Sequence, residues 1–262
     1  MVHVREEGFV MQPSFDYQLD DEIGDLLRIY QSMMDELEIS FTQQQQFVAD
    51  ASHELRTPIQ VIEGHLALLR RWGKDDPEIL DESLATTLEE ITRMKKLIEE
   101  LLQLARRENA EQGASTDIIE ELQKVENELQ LLYPQTVFNR FVVGQPVNIN
   151  VSTQALGQIF RNIIENGIRY NETVPHIKVT IHYSVDNIYV QIEDNGIGIS
   201  EEHLPYIFDR FYRVDEARTQ TTSGTGLGLS ITKMLANKYN IEIEVKSTPY
   251  NGTTFLLQFP LI

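Results

Sequence analysis

Apolar positions from Leu19 onward recur at alternating spacings of four and three: Leu19, Ile23, Leu26, Tyr30, Met33 and Leu37. That alternation is the seam of a coiled coil. Asp20, Asp21 and Glu22 crowd its start, where the helix dipole favours negative charge. Residues 1–18 carry no period and contain Pro13, so they read as extended or disordered. Past a glutamine-rich stretch (Gln43 to Gln46) a second apolar face follows through Val48, Ala51, Leu55, Ile59, Ile62, Leu66 and Leu69. Pro58 interrupts it and predicts a kink. Trp72 to Glu78 reads as a turn, after which a helix restarts with the face Leu84, Leu88, Ile91, Met94, Ile98, Leu101 and Ala105. Two such helices make an antiparallel hairpin. A lone hairpin cannot bury so much apolar surface, whereas a dimeric four-helix bundle can, so a homodimer is expected.

The second half has a different rhythm. Residues 109–117 are linker-like in composition. The pattern then predicts a helix over Ile118 to Leu132, short β-rich runs VFNRFVV and VNINV, and a helix over Thr153 to Tyr170. HIKVTIHYSV and IYVQIED alternate like strands and pair across Asp186-Asn187. A glycine-rich region, a helix over Leu229 to Tyr239 and the strands IEIEVKS and TTFLLQFP complete the chain. The mixture predicts one mostly antiparallel sheet with helices on one face, an α+β sandwich.

Composition narrows the function classes. A chain of 262 residues suits one large domain or two small ones. Its 41 acidic against 22 basic residues give a formal charge of −19. That balance argues against binding that rests on neutralising nucleic-acid phosphates, and against adsorption to an anionic membrane. Cysteine is absent, which excludes disulfides, thiolate metal sites and a thiol nucleophile, and fits a reducing compartment. No apolar run approaches the roughly 18 residues that span a bilayer, and no signal-peptide pattern opens the chain. The expectation is a soluble, acidic, cytosolic protein or fragment.

Several clusters carry chemistry. In Ser52-His53-Glu54-Leu55-Arg56-Thr57-Pro58, about 100° per residue turns His53 about 160° from the apolar stripe, with Thr57 one turn beyond on the same side. An outward imidazole beside a carboxylate is a competent nucleophile, Glu54 taking one ring proton while the other nitrogen attacks. Asn162 and Asn166 lie four apart on one helix, followed by Arg169 and Tyr170. Amide oxygens suit Mg²⁺ and phosphate, although paired asparagines are ordinarily polar surface. Asp194 ends a strand ahead of Gly196 and Gly198, an arrangement able to accept from an exocyclic amine. Gly224-Thr225-Gly226-Leu227-Gly228 opens an apolar helix, where free N–H groups bind phosphate. Its spacing is neither a dinucleotide-binding fingerprint nor a Walker A loop. Phe208 to Arg213 precede a polar stretch, Asp215 to Ser223, that could close as a lid with Arg213 and Arg218. Core packing is the simpler role for Phe208, Phe211 and Tyr212.

Together, SHELRTP, N-x-x-x-N-G-x-R-Y, D-N-G-I-G-I, F-D-R-F-Y-R and G-T-G-L-G-L-S occur in the order typical of bacterial two-component sensor histidine kinases, and the chain resembles their cytoplasmic part. Asp21-Glu22-Ile23-Gly24 and the seam after it resemble the second helix of a HAMP signal-relay module, so the chain looks like a fragment that begins partway through HAMP. The implied architecture is α+β and multidomain. Residues 1–46 would be the HAMP-like relay and coiled coil, 47–110 the dimerisation and histidine-phosphotransfer hairpin, 111–117 a linker, and 118–262 an ATP-binding α/β sandwich of the histidine kinase and gyrase type.

The resemblance implies autophosphorylation of His53 by Mg-ATP and transfer to an aspartate of a response regulator, with phosphatase activity besides. By it, Glu54 is the base and Thr57 positions hydrolytic water. Asn166 ligates Mg²⁺ with Asn162 beside it, Arg169 approaches phosphate, and Tyr170 packs near adenine. Asp194 accepts from the adenine amine in a pocket shaped by Gly196 and Gly198. Gly224, Gly226, Leu227 and Gly228 hold the phosphates, and Arg213 and Arg218 contact them as the lid closes. It also implies a homodimer, no direct nucleic-acid contact, and a membrane anchor upstream of residue 1 that keeps the full-length protein at the cytoplasmic face. Two positions depart from the usual pattern: Gly167 replaces an alanine, and Arg169 stands where lysine is commoner. Competing classes are a related clamp-type ATPase (a chaperone, DNA-topology or repair protein) and a non-catalytic scaffold. The first leaves SHELRTP unexplained; the second leaves the nucleotide motifs idle.

Overall fold

The computed structural model describes residues 22–74, 76–105, 115–214 and 224–261. Expectations for residues 1–21, for most of the linker and for the lid, Arg218 included, lie outside these. Two compact units divide the chain, one ending at Gly64 and the other starting at His65.

Helix α1 (Glu22–Trp72) continues through Pro58 without interruption. In the first unit it is the sole described element, and its stripe stays open: Leu26 is 61% exposed, Met33 48% and Leu37 56%. His53 and Thr57 are exposed, as the helical phase of the apolar face requires, while Pro58 is buried and Ile59 of the predicted face is itself 42% exposed.

Within the second unit, α1 ends at the turn around Gly73, and Asp76 opens α2 (Pro77–Ala105) by accepting from Glu78 N–H at 3.0 Å. This unit contains a five-stranded sheet of order β1-β2-β3-β5-β4: β1 (Val137–Val143), β2 (His176–Tyr183), β3 (Asn187–Asp194), β4 (Glu242–Ser247) and β5 (Thr253–Pro260). β1 runs parallel to β2 and the other three ladders are antiparallel. Helices α3 (Ile118–Leu132), α4 (Thr153–Arg169) and α5 (Gly228–Lys238) belong to the same unit.

The core follows from period-two and period-3.6 patterns meeting. Ile177, Val179 and Ile181 of β2 and Val190, Leu257 and Phe259 of the neighbouring strands are buried with Leu156, Ile159, Phe160 and Ile164 of α4. Asp117 caps α3 by accepting from Ile119 N–H at 2.8 Å, and Ser152 caps α4. One expectation needs correction: VNINV is no ladder strand. Ile149 only bridges Thr116, exchanging both backbone hydrogen bonds at 3.0 Å, while Ile149 and Val151 are buried. Its alternation records burial of a clasped loop. The same clasp engages the end of the expected linker, since Thr116 Oγ1 donates to Val151 O at 2.6 Å.

Candidate nucleotide site and phospho-acceptor helix

In the first unit His53 is exposed on α1. Thr57 Oγ1 leans back on His53 O at 3.5 Å, an ordinary one-turn helical contact. No hydrogen bond or ion pair joins Glu54 to the His53 ring in this structure. Consecutive residues on a helix point about 100° apart and do not face each other. Such contacts commonly tighten only with substrate bound.

In the second unit Asp194 ends β3 half-buried. Its Oδ1 accepts from Gly196 N–H at 2.8 Å and from Thr253 N–H at 3.1 Å. Burial pushes its pKa up against these two bonds, which pull it down. Both bonds converge on one oxygen, and no described residue hydrogen-bonds to Oδ2. Three glycines permit the crowding. A Cβ on Gly196 would stand 2.5 Å from Tyr170 O, one on Gly252 (φ +75°) would strike the Asp194 carbonyl, and one on Gly167 would lie 2.9 Å from Asp194 Cβ. The departure at Gly167 therefore has a packing reason: it lets α4 close on the carboxylate.

Asn166 is half-buried, and its side chain hydrogen-bonds to no described residue. Asn162 differs. It is buried, donates from Nδ2 to Gly228 O at 2.8 Å and to Thr232 Oγ1 at 3.2 Å, and accepts from Gln158 at 3.0 Å. Its side chain ties α4 to the first turn of α5. Arg169, expected at phosphate, is held by Glu165 at 2.6 Å and by the Tyr133 hydroxyl at 3.2 Å. Tyr170 caps α4, its carbonyl accepts from Ile197 N–H at 2.9 Å, and its hydroxyl reaches within 3.7 Å of where Gly224 would carry a Cβ.

Gly226 takes φ +72° against the backbone of Phe211, whose N–H donates to Gly226 O at 3.0 Å. Leu227 is buried and starts α5 with no side-chain cap, so the first N–H groups of the helix keep capacity for an anion. Gly198 (φ +70°) turns against Thr248, where a side chain would not fit. Phe208 packs on the core and Tyr212 donates to or accepts from His203 Nδ1 at 2.7 Å. Arg213 Nε and Nη2 are buried without a partner among the described residues, a cationic group awaiting an acceptor. No trio of His, Asp or Glu able to hold a metal occurs among the described residues. A magnesium ion here would rest on the Asn166 oxygen and on phosphate oxygens, a donor set that suits its hardness.

Thr253, Gly252 and Thr225 were missed by sequence reasoning. Gly252-Thr253 reads only as a strand start, and Thr225 as a spacer between glycines. The signal available was the glycine itself, placed next to the threonine that begins β5.

Residues 152–262 match the family described as histidine kinase-, DNA gyrase B-, and HSP90-like ATPase, and residues 43–110 match the His Kinase A (phospho-acceptor) domain. The signal transduction histidine-protein kinase ArlS of Staphylococcus epidermidis (strain ATCC 35984) is 39% identical over 267 residues, covering 100% of this chain and 58% of that relative. ArlS of Staphylococcus aureus (strain USA300) is 39% identical over 264 residues, 99% of this chain and 58% of its own length. The chain thus spans little more than half the length of these relatives. A structure of histidine kinase ThkA in complex with response regulator protein TrrA superposes with TM-score 0.65 at 21% identity, covering 92% of this chain and 68% of ThkA. Acinetobacter baumannii histidine kinase AdeS gives TM-score 0.61 at 22% identity, covering 79% of this chain and 97% of AdeS. At such identities these two likenesses speak to the fold. With a phospho-acceptor segment, an ATPase segment and similarity to named kinases along the whole of this chain, the chain belongs to the sensor histidine kinases.

Proposed function

We propose that the chain binds Mg-ATP in its second unit, autophosphorylates on His53, and passes the phosphoryl group to an aspartate of a response regulator. A ring nitrogen of His53 attacks the γ-phosphorus, the bond to the bridging oxygen breaks, and ADP leaves. The proton on the other ring nitrogen goes to a base, for which adjacent Glu54 is the candidate. Asp194 Oδ2 accepts from the adenine amine, the uncapped start of α5 and Arg213 receive phosphate oxygens, and Asn166 supplies an amide oxygen to Mg²⁺. The ion, when bound, neutralises phosphate charge; positioning supplies most of the remaining acceleration. Thr57, one turn from His53, serves the reverse direction by orienting water on the regulator's phospho-aspartate. The open apolar stripe of α1 supports a homodimer built on a second copy, and the seam from Ile23 supports a HAMP-like relay to a membrane anchor. Among the described residues no helix is long and apolar enough to cross a membrane.

The observation that carries this reading is the half-buried Asp194 carboxylate, cradled by glycines and with both backbone donors on Oδ1, in the same unit as the uncapped glycine turn. Incubation with γ-labelled ATP should give acid-labile protein label that His53→Ala loses while nucleotide still binds. Label that survives the substitution would sink the assignment. Release of free phosphate with no phosphoprotein would favour the clamp-type ATPase instead.

A further inference from the structure

The glycine turn is not idle in this structure. Thr225, between Gly224 and Gly226, donates its hydroxyl to Glu100 Oε2 on α2, 125 residues away in sequence. The same oxygen of Thr225 accepts from Leu227 N–H at 3.4 Å. A relay therefore runs from a backbone amide at the start of α5, through a hydroxyl, to a carboxylate that is only 7% exposed. We propose that Glu100 is a latch on the glycine turn, a carboxylate that holds donors which nucleotide phosphate must take over.

The inference rests on the reading that this turn receives nucleotide. Its chemistry is that of one anion standing in for another. Carboxylate and phosphate oxygens are both strong acceptors, and both are drawn to the positive end of an uncapped helix. Neighbouring cations are occupied in the same way. Lys96 Nζ lies 4.0 Å from Glu100 and 3.8 Å from Glu165, while Arg169 is held by Glu165 and Tyr133. Arriving phosphates meet the Thr225 hydroxyl and the Leu227 amide already committed, and a like charge beside them. The latch is poised to open, because a buried carboxylate with one hydroxyl donor and a distant ammonium is incompletely compensated. Burial raises the Glu100 pKa, with Glu165 adding to it and Thr225, Lys96 and Arg169 opposing. Glu100 on α2 thus sets how readily the turn accepts nucleotide, and any force that shifts α2 changes that affinity.

The test measures ADP affinity, with Mg²⁺, for the whole chain and for Glu100→Ala and Glu100→Gln. Loss of a charged hydrogen bond that competes with ligand should tighten binding about tenfold in Glu100→Ala. Glu100→Gln, which keeps shape and removes charge, should tighten it by a smaller factor. Without nucleotide, both should speed hydrogen exchange at the Leu227 amide, and the glutamine variant covers the case in which alanine fails to fold. If the unaltered chain binds ADP and neither folded variant binds it tighter, the latch is wrong and the nucleotide reading stands. If none of the three binds ADP, the nucleotide reading fails and the latch falls with it.

Discussion

Two helices of the chain treat their apolar faces in opposite ways. α4 buries Leu156, Ile159, Phe160 and Ile164 completely against strands and helices of its own unit, whereas α1 leaves Leu26, Met33 and Leu37 about half exposed or more. Both have clear helical periodicity, so amphipathicity alone does not say where the partner lies. What separates them is the repeat. The strict four-and-three spacing on α1 matches another long helix, while the broader stripe on α4 matches a sheet. The chemistry divides along the same line. Among the described residues the first unit offers the exposed imidazole of His53 and almost no enclosure; the second offers enclosure, buried charge and fixed donors.

The sharpest way to break that division is a pair of substitutions. Asp194→Asn should weaken nucleotide binding by about a hundredfold, because an amide turned toward the adenine amine leaves buried groups mismatched. His53→Ala should leave the same dissociation constant unchanged while ending phosphoprotein formation. Calorimetric titration reads both, and any loss of affinity in the histidine variant would erase the separation.

Next in size is the tolerance of each unit to backbone strain. Gly252→Ala places a methyl group into the Asp194 carbonyl at φ +75° and should cost the second unit roughly 2–3 kcal/mol in chemical denaturation. Gly64 in α1 has nothing within 4 Å of a Cβ, and Gly64→Ala should be neutral or slightly stabilising. Equal effects at the two glycines would contradict the packing difference.

A third distinction is pH. Burial raises the carboxyl pKa values of Asp194, Glu126 and Glu100 in the second unit. Between the ordinary unfolded pKa and the raised folded one, the native state binds more protons than the unfolded state. These groups therefore add stability as pH falls through their raised folded pKa values toward the ordinary carboxylate range, and that gain is lost as pH rises back through the folded pKa values. Melting curves should show this rise. Glu126→Gln, which removes the Arg140 pair at 3.2 Å together with the titration, should flatten it. A melting temperature that falls steadily from neutral to pH 5 would contradict the assigned direction.

The smallest expected effect is at Thr57. Thr57→Ala should spare autophosphorylation and slow dephosphorylation of the regulator several-fold. Equal loss of both activities would make Thr57 a structural residue.

Much of this was legible in the chain. The α3 and α4 boundaries, the hairpin across Asp186-Asn187 and the last two strands follow from periodicity, caps and turn residues, because those signals are local. The glycines announced a crowded turn, and helical phase put His53 outward. What stayed hidden depends on distant partners. Nothing local to Asn162 tells that its amide is spent on Gly228 and Thr232, or that Glu165 holds Arg169. Glu100 looked like any polar position on an amphipathic helix until α2 met the turn at Thr225. Ile149 and Val151 alternate as a strand would, yet the clasp to Thr116 buries them without a ladder.

The most direct measurement is to locate the phosphate. The intact chain is incubated with Mg-ATP, quenched in alkali and mapped by mass spectrometry under conditions that preserve phosphoramidates. An acid-labile phosphoryl group on His53 is the predicted result. An acid-stable phosphate elsewhere, or complete turnover of ATP with His53 unmodified, would contradict it.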